Sequence, residues 1–106
     1  MGEKAAAEVA SEIFVIGRRF DTAVAKDWAG HFIIDMAHSE WSIGANDAVV
    51  KAVIEAKQMV YVASPLIEKN LYDFALARPT VFARELAQFA KAGYKRVGDY
   101  LVPPAP

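Results

Sequence analysis

Apolar residues recur three and four positions apart through the first part of the chain, at Val9, Ile13, Ile16, Phe20, Val24 and Ile34. That period matches one face of an α-helix and predicts a helix over residues 3–40. Glu8, Glu12, Arg19, Lys26 and Glu40 fall on the opposite side, where water solvates them. The run Ile13-Phe14-Val15-Ile16 is β-prone by itself, but its flanks read as helix, so it is assigned to that helix. Gly17 and Gly30 each weaken such a helix by about 1 kcal/mol relative to alanine.

Trp41-Ser42-Ile43-Gly44-Ala45 breaks the pattern. Asn46 and Asp47 suit a helix N-cap and predict a second helix over 48–63, with Val49, Val50, Val53, Ile54, Val60 and Tyr61 on its apolar face. Ser64-Pro65 reads as an N-cap followed by proline at the first helical position. It starts a third helix over 65–77 or kinks a continuous one. Arg78-Pro79-Thr80 repeats the signal ahead of a fourth helix over 81–92, with Gly93 as its C-cap. Residues 94–101 add a turn or two, and the proline-rich residues 102–106 form an extended tail. The pattern predicts an all-α fold with one domain over residues 1–101. A helical hairpin of two longer helices precedes two short ones, packed as a helical bundle.

Hydrophobic residues make up 55% of the 106 positions, above the usual share of about 45–50%. A bundle of this length buries its surface poorly, so the excess predicts a homo-oligomer. The net charge of −1 excludes a strongly basic nucleic-acid binder on bulk charge. The charge is uneven: residues 1–53 hold five Lys/Arg and eight Asp/Glu, and residues 54–106 hold seven and five. The halves are therefore −3 and +2, which favours contacts between copies. Arg84, Lys91, Lys95 and Arg96 form the basic cluster where nucleic acid would touch; the acidic first half of a neighbouring copy is the better-matched partner. The absence of cysteine excludes disulfides and thiolate zinc sites. No signal-peptide pattern opens the sequence, and no apolar run nears the roughly 20 residues of a membrane span. A cytoplasmic location is the expectation.

Candidate chemistry centres on Asp27, His31, Asp35 and His38, spaced i, i+4, i+8 and i+11. On a helix they would share one side, among the residues that should pack. Buried charge is costly unless compensated. Lys57 is likewise a charge within the apolar face of the second helix. One reading is a buried polar network of Asp27, His31, Asp35, His38 and Lys57 that sets register. Another is a metal site of His31, Asp35 and His38, with Asp27 behind them; imidazole and carboxylate suit Zn, Fe or Mn. A third places the stripe along a groove or pore between subunits. Acid–base work by the Asp/His pairs or amine chemistry at Lys57 has no supporting motif, so no catalytic residue is assigned. Phe20, Trp28, Trp41 and Tyr61 are interface candidates. The expected function is self-assembly, as a homo-oligomeric bundle, filament or coat subunit. The alternatives are a metal-binding bundle, ferritin-like or hydrolytic, and a carrier of a small apolar ligand or pigment.

Overall fold

Ile13–Ile16 forms a strand, β1, in the interior of a five-stranded mixed sheet. Three of its four side chains are at most 2% exposed, so both faces of the strand are covered. The computed structural model describes residues 12–37 and 39–105. After β1 come helix α1 (Arg19–Ala23), strand β2 (His31–Phe32), helix α2 (Ile43–Glu55) and strand β3 (Val60–Val62). Helix α3 (Glu68–Leu71) leads into a small separate ladder of β4 (Tyr72–Asp73) and β5 (Arg78–Pro79). Helix α4 (Val81–Lys91) and the strands β6 (Lys95–Val97) and β7 (Tyr100–Val102) complete the chain.

The main sheet has the order β2-β1-β3-β7-β6. β1 runs parallel to both neighbours, with Ile13 opposite His31 on one side and Phe14 opposite Val60 on the other. β7 is antiparallel to β3, and β6 to β7. One face of the sheet presents Phe14, Ile16, Val60, Val62 and Leu101 to Val50 and Val53 of α2, Phe82 and Phe89 of α4, and Tyr94. Burying each large apolar side chain contributes roughly 1.5–3 kcal/mol. On the other face Val15, Tyr61, Tyr100 and Val97 stand in register across four strands. Trp28 packs edge-on against Tyr61, with ring centres 5.6 Å apart.

The fold is therefore mixed α/β, and the all-α helical bundle is corrected. A strand buried on both faces shows no alternation of its own, so its apolar residues merge with the helical period of their neighbours. Gly17 ends β1 at a φ of +154°, and a Cβ there would stand 2.7 Å from Ser64 Oγ. The second helix starts at Ile43, capped by Ser42, whose Oγ accepts the Ala45 N–H at 3.0 Å. It ends before Lys57, which takes a φ of +53° and turns the chain into β3. Val60 and Tyr61 are thus strand residues. Ser64-Pro65 caps no helix, and α3 is a single turn that begins at Glu68. The fourth helix lies where its start signal places it, with Thr80 Oγ1 accepting the Ala83 N–H at 3.1 Å. Val102 pairs within the sheet opposite Lys95, ahead of the prolines. The start of the first expected helix, residues 3–11, lies outside the described residues, as do His38 and Pro106. Among the described residues no helix is long and apolar enough to cross a membrane.

Candidate functional site

β1 leaves the sheet through Gly17 into Arg18, whose backbone N–H donates to Ser64 Oγ at 2.7 Å. The Ser64 hydroxyl donates in turn to Asp21 at 2.5 Å. This lock ties the turn after β1 to the turn after β3 and holds Arg18 and Arg19 at the carboxyl end of β1. The connection from β1 to β2 leaves one way, and the chain then crosses back to β3 on the other side of β1. Open α/β sheets bind ligands outside the strand ends at such a reversal.

A two-lobed crevice opens there. The first lobe, of about 500 Å³, is lined by Arg19, Lys26, Asp35, Asn46 and Glu85 among others. The second, of about 1040 Å³, includes Arg18, Asp73, Leu76, Arg78, Arg84 and Lys91. Gly17, Arg19, Trp41 and Val81 line both, so the two lobes are neighbours. Among the described residues six Lys/Arg but only three Asp/Glu line the crevice, so that lining is net +3 in a chain of net −1.

Glu85 sits mid-helix on α4 and is 5% exposed. Its carboxylate accepts from Asn46 Nδ2 at 3.2 Å, and Asn46 Oδ1 accepts from Trp41 Nε1 at 3.2 Å. The neighbouring cation is committed elsewhere. Arg84 makes a bidentate pair with Asp47, at 2.9 and 2.7 Å, and Gln88 donates to the same carboxylate at 3.1 Å. Arg84 holds the Asp47 carboxyl below the usual range, and Asp47 holds the guanidinium above its own. Burial pushes the Glu85 carboxyl up to about 7; the Asn46 hydrogen bond pulls down and the Asp47 charge pushes up. Glu85 is thus poised to change protonation near neutral pH, as a proton-transfer group must.

The described residues among those singled out from the sequence do not converge. His31 is half-buried on β2, with Nδ1 donating to the Ala29 carbonyl at 2.8 Å and its ring against Trp28. Asp27 is exposed in the turn after α1. Asp35 is exposed and pairs with Lys26 at 3.4 Å, a contact worth under about 1 kcal/mol. Lys57 is exposed at the end of α2. Asp27, His31, Asp35 and Lys57 are therefore not gathered on one buried face, because a helical spacing aligns side chains only where the backbone is helical. His38 lies outside the described residues, and among those described no group of three or more His/Cys/Asp/Glu is placed to hold a metal ion. Of the interface candidates, Phe20 is 89% exposed, Trp28 and Trp41 are partly open, and Tyr61 is half-buried under Trp28. In the basic cluster, Arg84 and Lys91 line the second lobe, while Arg96 Nε donates to the Gly98 carbonyl on the far hairpin.

Glu85, Asn46 and Arg19 are the site residues that sequence reasoning passed over. Glu85 carried a signal: it falls between Phe82 and Phe89 on the apolar stripe of the fourth helix. Comparison of the chain with protein-family models, with curated proteins and with solved structures gives no match.

Proposed function

We propose that the crevice binds a phosphate-bearing substrate and that Glu85 exchanges a proton with it, making the domain an acid–base enzyme. The observation that carries this reading is a buried carboxyl lining a crevice rich in guanidinium groups, with a neutral amide as its hydrogen-bond partner. A carboxyl serving packing alone is a poor choice there, since leucine at the same place avoids the desolvation cost. Arg18, Arg19 and Arg78 make no ion pair among the described residues, so their charge is available to a ligand. Guanidinium groups bind phosphate oxygens through paired N–H donors.

Inorganic pyrophosphate is the probe. Titrated into labelled protein, it is expected to shift the amides of residues 17–19, with affinity falling about tenfold in Arg19→Ala. Release of nitrophenolate from bis(4-nitrophenyl) phosphate is expected to fall about a hundredfold in Glu85→Gln. Unshifted amides at millimolar pyrophosphate, or equal turnover by both proteins, would sink the proposal.

Self-association is a second reading, without the helical coat. It is favoured by the apolar side chains left open on and after α1, where Phe20 is 89% and Val24 65% exposed. Sedimentation velocity across a hundredfold concentration range is expected to reveal association that Phe20→Ser removes. A monomer throughout rules it out.

A further inference from the structure

We infer that the crevice takes a single strand of RNA and that Glu85 removes the proton of a ribose 2′-hydroxyl beside the phosphate that is cleaved. This rests on the acid–base reading above and names its substrate. The two lobes together exceed the roughly 300–1,000 Å³ of a small-molecule pocket. They lie side by side, with Gly17, Arg19 and Trp41 lining both, and a strand laid across the two would meet that shared rim. Three of the cations lining them are arginines without an ion pair among the described residues, Arg18, Arg19 and Arg78, and guanidinium groups grip phosphate and also stack on flat rings.

Trp41 supplies the second feature. It is 39% exposed at the junction of the lobes, and its indole N–H is held by Asn46, the residue that also holds Glu85. A fixed, open indole is a stacking platform for an unpaired base; an acidic peptide offers no ring to match it. One base on Trp41 would therefore stand next to the proton-transfer group. The chain's net charge of −1 does not oppose this, because the cations are gathered in the crevice.

The chemistry balances without a further reactant. The 2′-hydroxyl proton passes to the Glu85 carboxylate, and the 2′-oxygen forms a bond to phosphorus. The bond from phosphorus to the 5′-oxygen breaks, and that oxygen leaves with the electron pair and takes a proton from water in the open crevice; the hydroxide left behind takes the proton held by Glu85 and restores its carboxylate. Arg19 faces the charge that develops on the phosphoryl oxygens. The products are a 2′,3′-cyclic phosphate and a 5′-hydroxyl.

The test uses a ten-nucleotide RNA of mixed sequence, its DNA counterpart and its 2′-O-methyl counterpart. Binding is read by fluorescence anisotropy and products by mass spectrometry. All three strands are expected to bind, with a salt slope of about −3 for four cations contacting phosphate. RNA alone is cut, leaving a cyclic phosphate. Glu85→Gln is expected to bind RNA normally and cut it at least about a hundredfold more slowly. Trp41→Ala is expected to bind RNA at least about fivefold more weakly. RNA that is unbound, bound but uncut, or cut no faster than DNA overturns the inference, as does poly-glutamate binding where RNA does not. If pyrophosphate still binds at residues 17–19 in that case, only the choice of RNA has failed; if it does not, the underlying reading has failed too.

Discussion

Raising the pH from about 4.5 to about 7 is expected to weaken the fold by about 3 kcal/mol, and Glu85→Gln is expected to remove that loss. The native carboxyl titrates at about 7 because burial disfavours its charge, whereas the exposed group titrates at 4.5. Between those values the unfolded chain binds fewer protons than the native one, so stability falls as pH rises. Below the window both states are protonated and the full stability is present. Arg19, Lys26 and Asp35 share the cavity with Glu85, and Asp47 adds to the upward push. Asp47 itself is held low by Arg84, so its own contribution is lost only as pH falls below the window. Glutamine keeps an oxygen to accept from Asn46 and carries no charge at any pH. Denaturant midpoints measured across the window should therefore fall for the wild type and stay flat for the variant. In thermal unfolding the same difference is roughly 12–24 °C. Parallel curves for the two proteins would mean that Glu85 ionises in the native state as freely as in water.

Gly17→Ala is expected to cost about 3 kcal/mol, and so to lower Tm by a similar margin. Two physical terms combine. An L side chain at a φ of +154° is strained, which costs on the order of 1–3 kcal/mol. The new Cβ would also stand 2.7 Å from Ser64 Oγ and 3.2 Å from the Ser64 backbone nitrogen. Ser64 would have to move, and both of its hydrogen bonds, from Arg18 and to Asp21, would stretch. Each is worth about 0.5–1.5 kcal/mol. Ser64→Gly in the same chain removes the Oγ clash but not the strain, so the double variant should recover part of the loss. An unchanged Tm in Gly17→Ala would show that the turn can re-form around alanine.

The legible part of the fold was the part whose signal is local. Phe82, Leu86 and Phe89 repeat at the helical period behind Thr80, and α4 lies where they place it. β1 was visible as four β-prone residues but was outweighed by a longer period around it, since a strand covered on both faces has no alternation to read. The β6–β7 hairpin had a usable cue in the two residues Gly98-Asp99 between short strands. Glu85 could have been found by the reasoning that singled out Asp27, because both are acids on a stripe of apolar positions. The difference is that only one of the two stripes lies on a helix. The role of Arg18 and Arg19 was not legible, because the crevice exists only once β1 and β3 meet across 46 residues.

That separation has a consequence for synthesis on the ribosome. Phe14 finds its partner Val60 only after 46 more residues have been added, which takes roughly 2–9 s at cellular elongation rates. For that interval an uncharged Ile-Phe-Val-Ile tract, destined to be the most enclosed strand, has no native neighbour on that side. Such tracts associate readily with one another or with chaperones. Glu12 before it and Arg18-Arg19 after it are charges of the kind that discourage such pairing. The two arginines that face the crevice in the finished domain thereby also guard the nascent chain.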